Sequence, residues 1–557
     1  MRPDHPKPFY YLDNFRLLLD WVAERYADLL DDAERDFLSR FPALPLPAQA
    51  LLVRMVMRKG ELFRVGKLVY SEIGPTPAAL APLVEAGWVE AEPALPLDAL
   101  FGLLTRPEID AAFAASQPRP QERKAELLAR LLPQFEAPQT FAQWCPGLAD
   151  AACRLAIRPL CDRLRLIFFG NLQQDWSEFV LADLGIFQYE QVPFSAESRG
   201  FRSRADLDFY LQLHDCRRRL DEGEAADRVG EVVLALHSEQ DWLARRRAKL
   251  LYALAQQHER QQCFDLALAL YRQCAYPGAR ARQIRVLERQ EAFDTAQALA
   301  SLAWAEPESE AERQQLARML PRLCRRLGLP PPARPGLPAI PEQLLRLPRP
   351  QDGYPVEFAV RDHLHTAEAP VRYVENTLLN SLFGLLCWPA VFAALPGAFF
   401  HPFHQGPADL LSPDFHARRR DLFDASLAEL DDGRYRATIA RRFDEKQGLQ
   451  SPFVAWQVLD AELLQLALHC IPADHLAYFF RRILDDIRSN RAGLPDLVRF
   501  LPAEARYELI EVKGPGDRLQ DNQLRWLHGC LERGIPVGVC YVEWDTPMRG
   551  MPAQDAP

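Results

Sequence analysis

The stretch YELIEVKG, residues 507–514, places a glutamate and a lysine at the end of an apolar run. The apolar members are of types that favour a buried β-strand: Tyr507, Leu509, Ile510 and Val512. Because side chains alternate between the faces of a strand, Glu511 and Lys513 share one face. Two ionisable groups there cost on the order of several kcal/mol unless other groups compensate them. The octapeptide fits a salt-bridged strand end as well as a functional site.

A second short strand precedes this one, in RAGLPDLVRF (491–500). The intervening LPAEAR (501–506) has the length of a hairpin turn. Pairing the two strands brings Asp496 to the same sheet end as Glu511, with directly opposed Cβ atoms ~5 Å apart. Two carboxylates at that separation can share one cation.

The sequence after Lys513 predicts a helix and a further strand. Residues 514–534 begin with Gly-Pro-Gly and continue as an amphipathic helix, and residues 535–544 read as a strand. We expect one apolar helix face: Leu524, Leu527 and Leu531, with Trp526 beside them. The order strand, strand, helix, strand predicts a C-terminal α/β domain.

These residue types suit metal-assisted phosphodiester chemistry. Magnesium prefers oxygen ligands and is held by one or two carboxylates together with waters and phosphate. Asp496 and Glu511 supply carboxylates, and the backbone carbonyl of Val512 can supply a further oxygen. Lys513 can orient a water and offset phosphate charge. The strand end would then tolerate its charges because a cation and a substrate phosphate complete the set.

The layout resembles the PD-(D/E)-x-K nucleases, and "GLPDLVRF…YELIEVKGPGDRLQDNQLRWL" resembles the VRR-NUC domain of the Fanconi-associated nucleases. The resemblance implies that Asp496, Glu511 and Lys513 are catalytic. It also implies supporting roles for a flanking set: Arg488, Arg491, Asp517, Arg518 and Gln523. Asn522 stands where some relatives have a basic residue, which leaves open a dedicated grip on a 5′-phosphate.

A further metal ligand is implied by YVENTLLNSLFGLLCW (373–388). The family uses a helix glutamate of this motif as a ligand, and Glu375 occupies that position. By pattern alone, Glu375 is an ordinary glutamate in the first turn of a helix. A rival cluster of His401, His404 and His416 has no cysteine or acidic partner at a known metal-site spacing.

The N-terminal region is predicted to be helical and to bind DNA. In residues 8–40, apolar residues recur at helical spacing: Phe15, Leu18, Leu19, Val22 and Tyr26. Within residues 46–115, a helix followed by GWVEAE resembles the helix-to-wing passage of winged or SAP-like DNA modules. Positive charge concentrates there, and we expect these residues to contact DNA: Arg54, Arg58, Lys59, Arg64 and Lys67. A solvated helix face is the alternative.

An internal echo follows in residues 230–320. CFDLALALY (263–271) and AFDTAQALA (292–300) repeat with a period of 29 residues, which is typical of stacked helical hairpins like tetratricopeptide repeats. Arginine-rich segments at 216–220 and 245–249 could contact phosphates or simply be solvated.

The chain is therefore predicted to be multidomain, with a mostly α-helical N-terminal three-fifths and a C-terminal α/β nuclease domain. A Pro-rich segment separates the two parts. The expected boundaries are 1–130 for a DNA-binding region with a SAP-like module, 131–326 for the repeats, 327–355 for the linker and 356–557 for the VRR-NUC domain.

Composition limits the alternatives. The net charge of −10 argues against a nucleic-acid partner only on average, because a local basic patch is what attracts DNA. Eleven scattered cysteines without a C-x-x-C pair indicate reduced thiols. Eukaryotic members of the family that the sequence resembles carry an N-terminal ubiquitin-binding zinc finger, and because no cysteine precedes Cys145 we expect none in this chain. Residues 381–400 lack charge, but Pro389 and Pro396 favour a buried helix and a loop over a membrane span. We expect a soluble protein.

The resemblance implies a Mg²⁺- or Mn²⁺-dependent nuclease that cuts 5′-flap and other branched DNA. It also implies 5′-to-3′ exonuclease activity and a role in DNA repair, including interstrand-crosslink repair. The missing zinc finger together with the arginine-for-lysine bias, seven lysines among 66 basic residues, suggests a bacterial member. We expect it to be cytoplasmic and nucleoid-associated and to act as a monomer on DNA. Two alternatives are a Holliday-junction resolvase and a non-catalytic helical-repeat scaffold.

Overall fold

The computed structural model describes residues 8–116, 121–183, 186–333, 336–350 and 353–545. The chain divides into two compact units. The first unit comprises residues 1–188, 194–204 and 400–403, and the second comprises 189–193, 205–399 and 404–557.

The first unit is mostly helical and contains one small sheet. Its helices are α1 (Tyr10–Arg25), α2 (Asp32–Arg40), α3 (Leu46–Val56), α4 (Thr76–Glu85), α5 (Leu97–Leu103), α6 (Arg106–Ala112), α7 (Lys124–Leu131), α8 (Phe141–Trp144), α9 (Arg158–Phe169) and α10 (Ser177–Asp183). Its strands are β1 (Leu62–Arg64), β2 (Val89–Ala91) and β3 (Ala152–Leu155). Short 3₁₀ turns lie at Phe41–Ala43, Val65–Lys67, Ala114–Ser116 and Leu132–Gln134.

The predicted apolar stripe of residues 8–40 forms the buried face of the first helix. Phe15, Leu18, Leu19 and Val22 of α1 are all buried, as is Tyr26 at its end. Asp31 then begins α2 with a capping box, in which its side chain accepts from the Glu34 backbone N–H. The spacing of apolar residues thus predicted these elements correctly.

The helix-to-wing passage is also present, because α4 leads through Gly87 into β2. The three strands pair antiparallel in the order β1-β3-β2, so the central strand comes from residues about sixty positions downstream of β2. A separate apolar core follows in α5–α8, built around Leu100, Phe101 and Trp144. The first unit therefore contains a winged helical module and a second small helical module.

The second unit begins with a run of helices: α11 (Arg204–Asp221), α12 (Ala226–Ala235), α13 (Asp241–Arg260), α14 (Phe264–Arg272), α15 (Ala279–Arg289), α16 (Phe293–Ala305) and α17 (Glu310–Leu327). The sequence echo marks α14 and α16, the second helices of successive hairpins. Gln262 and Glu291 precede them, lie 29 residues apart and share a left-handed φ near +60°. The buried Ala267 and Ala296 allow close helix crossings, so the predicted repeat is structural.

The remainder of this unit is an α/β domain. Its strands are β4 (Glu342–Leu347), β5 (Val371–Tyr373), β6 (Leu497–Leu501), β7 (Arg506–Lys513) and β8 (Val537–Trp544). Its helices are α18 (Val356–Leu364), α19 (Leu378–Leu386), α20 (Trp388–Val391), α21 (Arg420–Leu427), α22 (Glu429–Asp432), α23 (Tyr435–Glu445), α24 (Ala461–Cys470), α25 (Ala473–Asp485), α26 (Ile487–Asn490) and α27 (Asp521–Leu531). Short 3₁₀ turns lie at Ala417–Arg419 and Pro502–Glu504.

The five strands form one mixed sheet in the order β4-β8-β7-β6-β5. β7 pairs antiparallel with β6 and parallel with β8. The edge strand β4 pairs parallel with β8 and comes from the segment 327–355 that we expected to be a linker. Prolines flank this strand without interrupting it, and an edge strand needs partners on only one side. The Pro-rich segment therefore supplies part of this sheet.

The uncharged stretch of the sequence is divided between two helices and a loop. The uncharged stretch 381–400 contains the end of α19, the short α20 and a loop, and among the described residues no helix has the length and hydropathy of a membrane span.

In α27 the buried face is Trp526, Leu527 and Cys530, while Leu524 and Leu531 are only half-buried. Gly529 allows this face to pack against α25, because a side chain at position 529 would collide with Tyr478 and Arg482.

Candidate active site

The site lies where β6 begins and β7 ends. The register pairs Leu497 with Ile510, and continuing it by one residue sets Asp496 opposite Glu511. Asp496 Oδ2 accepts a hydrogen bond from the Val512 backbone N–H at 2.8 Å, and its own carbonyl accepts from Val374 N–H at 2.8 Å. The opposed carboxylates expected from the hairpin are thus formed.

Pro495 leaves the backbone carbonyl of Val512 without a partner in the β6–β7 ladder. In an antiparallel pair, the N–H and C=O of one residue face the same neighbouring strand. The same register sets Pro495 opposite Val512, and proline has no N–H to donate. The ladder therefore cannot pair the Val512 carbonyl at this position, and that oxygen faces the side on which Asp496 lies.

Glu511 is the most enclosed charged group of the site, with no exposed surface. Its Oε1 accepts from Lys513 Nζ at 2.8 Å and from Gln523 Nε2 at 2.5 Å. Among the described groups its Oε2 has no hydrogen-bond donor, although it is buried. A buried carboxylate oxygen without a donor is costly unless a cation meets it. Its environment therefore fits a metal ligand.

Burial sets the protonation of the pair. It raises the pKa of the Glu511 carboxyl well above its usual range, and the charge of Asp496 adds to this rise. It also raises the pKa of Asp496, against the hydrogen bond from Val512. Two carboxylates so close together resist ionising at once without a cation.

Glu375 lies in a turn, and not in the first turn of a helix as the pattern predicted. The left-handed Asn376 (φ 53°) follows it and delays α19 until Leu378. Glu375 Oε2 accepts from Tyr373 O–H at 2.5 Å. Its charge contributes to the raised pKa values of Asp496 and Glu511, so it acts on the same site.

The described carboxylates of the site nevertheless do not converge on a single metal position. In the described ranges, no three His, Cys, Asp or Glu side chains converge closely enough to hold an ion as they stand. Glu375 is exposed and is held by Tyr373 and Asn376. The three histidines offered as a rival cluster form no such group either.

Two asparagines that the sequence reasoning missed hold the loop before Asp496. Asn376 Oδ1 accepts from Leu494 N–H at 3.1 Å. Asn380 Nδ2 donates to the carbonyls of Asn376 and Arg491 at 2.8 and 2.9 Å. Asn380 lies in α19 and Asn376 in the turn before it, and the available signal was their i, i+4 spacing beside Glu375, which a helical pattern would place on one face.

The flanking residues implied by the family take different places. Gln523 contacts Glu511 directly, and Asp517 closes the Gly-Pro-Gly turn by accepting from Gly514 N–H at 3.1 Å. Arg518 is exposed. The exposed Arg488 donates to Tyr276 O–H at 2.9 Å. Arg491 is half-buried beside the ring of Phe453.

The five basic residues of the first unit differ in their partners and in their exposure. Arg54 makes an ion pair with Glu72 at 2.6 Å and stacks on Tyr11. Arg64 is 8% exposed and pairs with Glu108 and Asp150. Arg54 and Arg64 are thus held by acids of the same unit, and their assignment as DNA contacts stays a prediction. The remaining three are exposed: Arg58, Lys59 and Lys67.

Several guanidinium groups of the arginine-rich segments 216–220 and 245–249 also have partners within the fold. Arg217, Arg218 and Arg219 each pair with acids on or just after α11. Arg247 donates to the carbonyls of Val233 and Leu234 at the end of α12. The arginines of 216–220 are therefore paired with acids, whereas Arg247 of the 245–249 segment donates to neutral carbonyls.

All eleven cysteines are free thiols, as their scatter predicted. Ten are buried or half-buried, and Cys263 is exposed.

Three family models match the chain. "FAN1, HTH domain" matches residues 9–90, "Fanconi anemia-associated nuclease SAP domain" matches residues 94–144, and "VRR-NUC domain" matches residues 430–544. The SAP match covers α5–α8, so the helix-to-wing passage before it belongs to the HTH module.

Relatives and solved structures agree with these matches. A Fanconi-associated nuclease 1 homolog of Pseudomonas aeruginosa is 58% identical over 97% of each chain. Human Fanconi-associated nuclease 1 is 24% identical, and the match covers 97% of this chain and 62% of the human one. A crystal structure of paFAN1 bound to 2-nt 5′-flap DNA with a gap superimposes with a TM-score of 0.94 and 57% identity, covering 98% of this chain and all of that one. The chain therefore belongs to the Fanconi-associated nuclease family, as a bacterial member.

Proposed function

We propose that this nuclease cuts branched DNA that carries a 5′ flap, and that it does so at the strand end containing Asp496, Glu511 and Lys513. The observation that carries the proposal is the buried, opposed pair of Asp496 and Glu511, in which one Glu511 oxygen has no donor among the described residues. A purely structural ion pair with Lys513 would need one carboxylate, whereas two carboxylates, Asp496 and Glu511, lie opposite each other here.

The donor set suits a hard divalent cation, Mg²⁺ or Mn²⁺. Asp496, Glu511 and the Val512 carbonyl would hold it, and Glu375 would join from the adjoining turn. A divalent cation at this position supplies Lewis acidity and neutralises charge that develops on the scissile phosphate.

The chain's own groups prepare this site. Gln523 and Lys513 hold Glu511 Oε1, which orients the other oxygen. The Val512 N–H fixes Asp496. Lys513 keeps its ammonium at the same sheet edge, where it can face the phosphate and its attacking water. Burial strengthens each of these interactions, because the surroundings screen charge less than water does.

The substrate assignment rests on relatives. Two similar crystal structures contain paFAN1 bound to 5′-flap DNA, one with a 2-nt and one with a 1-nt flap. Exposed basic residues are available in each unit, namely Arg58, Lys59 and Lys67 in the first and Arg488 and Arg518 in the second. We extend the proposal to 5′-to-3′ trimming and interstrand-crosslink repair by a monomer on DNA, in the cytoplasm at the nucleoid.

The test compares cleavage of labelled 5′-flap, nicked, four-way and plain duplex DNA, with Mg²⁺ and with Mn²⁺. We expect the flap-bearing strand to be cut near the junction, and Lys513→Ala to lose cutting. Lys513→Arg should not rescue it, because the planar head misplaces the charge.

Arg506→Gln serves as the control. Arg506 lies at the opposite end of β7 and pairs with Glu504, so this variant should cut like the wild type. Preference for four-way over flap substrates, or full activity of Lys513→Ala, would contradict the proposal.

A further inference from the structure

A polar pocket of about 250 Å³ adjoins the loop that carries Asp496. Its polar lining consists of Asn376, Asn380, Ser451, Gln457 and Arg491, and Phe453 lies among them. Since a water takes roughly 30 Å³ of liquid, the pocket can hold a phosphate group with part of its sugar or several waters.

Arg491 is the charged group of this pocket, and it has no acid partner. Within the part of the chain that the structure describes, no carboxylate forms an ion pair with it, and its guanidinium carbon lies 5.9 Å from the centroid of the Phe453 ring. Burial lowers the pKa of its guanidinium. A half-buried cation without compensation is unfavourable unless a ligand supplies the negative charge.

Other enclosed arginines of the same domain are compensated. Arg419 binds both Asp409 oxygens, at 2.9 and 2.8 Å. Arg482 pairs with Glu310 at 2.5 Å, and Arg442 donates to the carbonyl of Leu385 at the end of α19. Among the described residues Arg442 has no acid partner either, but its guanidinium has a carbonyl acceptor, whereas the guanidinium of Arg491 has no described hydrogen-bond acceptor.

The pocket is tied mechanically to the active site. The Arg491 carbonyl is held by Asn380, and Asn376 holds Leu494 and donates to Glu375 at 3.2 Å. A ligand on the Arg491 guanidinium would thus lie beside the loop between Arg491 and Asp496 and beside Glu375.

We infer that this pocket binds a backbone phosphate of the DNA strand being cut, next to the scissile one, through Arg491. A guanidinium matches two phosphate oxygens at once and is weakly hydrated, so it suits a partly enclosed phosphate site. The buried Asn380 Oδ1 has no described donor and is an acceptor, which suits a phosphate that retains a bridging water. This inference rests on the proposed function, because it assumes a DNA strand at the metal site.

The test measures binding of metal-free protein to 5′-flap DNA by fluorescence anisotropy across a salt series. For Arg491→Gln we expect affinity to fall roughly tenfold and the slope of log affinity against log salt to drop by about 0.9, the value of one phosphate contact. Arg506→Gln, with the same change of charge, should leave both quantities near wild type. Equal behaviour of the two variants would overturn the assignment.

Neutral methylphosphonates placed one at a time along the strand identify the source of the phosphate. At one position beside the cut, the substitution should weaken wild-type binding and leave Arg491→Gln unaffected. If Arg491→Gln is unstable, Arg491→Lys replaces it and should retain the salt slope while binding more weakly. If inorganic phosphate raises the melting temperature of wild type but no methylphosphonate position is coupled to Arg491, the pocket takes free phosphate and the inference is wrong.

Failure of this inference is separable from failure of the proposed function. Mn²⁺ should raise the melting temperature of Arg491→Gln as it does that of wild type, because the carboxylates are intact. Loss of cleavage in Asp496→Asn with no effect at Arg491 would refute the phosphate pocket alone.

Discussion

Asp496 carries a charge that the fold disfavours until a cation arrives. Asp496→Asn removes the charge but keeps an oxygen that can accept from Val512 N–H. We expect cleavage to fall at least about a hundredfold and the Mn²⁺-induced thermal shift to disappear. In chelator at pH 8 the variant should melt higher than wild type, because the repulsion between Asp496 and Glu511 is gone. A lower melting temperature would mean that the carboxylate stabilises the fold without metal.

The same carboxyls make metal binding depend on pH. Their folded pKa values are raised, so between the ordinary range near 4 and the raised values the folded state holds more protons than the unfolded state. Stability of the metal-free protein should therefore fall as pH rises through this window, and saturating Mn²⁺ should remove the fall. Calorimetry in buffers of different ionisation enthalpy should detect protons released on Mn²⁺ binding. Binding without proton release would contradict the raised pKa values.

Glu375 tests whether the turn before α19 contributes a ligand. Glu375→Gln should slow cleavage and raise the metal concentration needed for half-maximal rate, because one carboxylate is lost. The side chain is exposed and bound to Tyr373, so stability should change little. Tyr373→Phe is the companion variant, which frees Glu375 without removing it. An unchanged metal requirement in Glu375→Gln would assign Glu375 a structural role.

At the scale of elements, the repeats rest on small residues at helix crossings. Ala267 and Ala296 are fully buried on α14 and α16, whereas Ala269 and Ala298 on the same helices are exposed. Leucine at either buried position should destabilise the fold by about 1–3 kcal/mol through overpacking. Leucine at either exposed position should not. Urea unfolding followed by circular dichroism measures the difference, and similar midpoints for all four variants would refute the close crossing.

Local patterns predicted the strands but not their whole assembly. Period-two alternation in 507–514 and the short turn before it fixed the β6–β7 register and hence the Asp496–Glu511 pair. No local signal showed that β4 and β5, more than a hundred residues upstream, complete the sheet. The buried face of α27 was rotated for a similar reason, since Gly529 matters only because α25 packs there.

At the scale of the molecule, a protein of net charge −10 must concentrate its positive potential. Reversing Arg58, Lys59 and Lys67 to glutamate should weaken flap binding and flatten its salt dependence, because fewer counterions are released. Binding should depend on branch geometry and little on sequence, since phosphate contacts do not read bases. Anisotropy titrations across a salt series measure both effects.

The control reverses an equal charge at Arg35, Arg40 and Arg154, which already pair with surface acids. Identical slopes for the two triple variants would place the DNA grip elsewhere. Sequence could not separate Arg54 and Arg64 from the exposed trio, because the acids that neutralise them lie 18 to 86 residues away.

The position of β8 has a consequence for protein synthesis. β7, which carries Glu511 and Lys513, is flanked by β8, and the upstream strand β4 has β8 as its sheet neighbour. A ribosome must therefore release residues 537–544 from its exit tunnel before the sheet can close. Until then, a nascent chain can fold its winged and repeat modules while the carboxylate pair remains unsupported. We expect the nascent chain to be inactive as a nuclease until its cutting site is completed, which is among the last steps of translation.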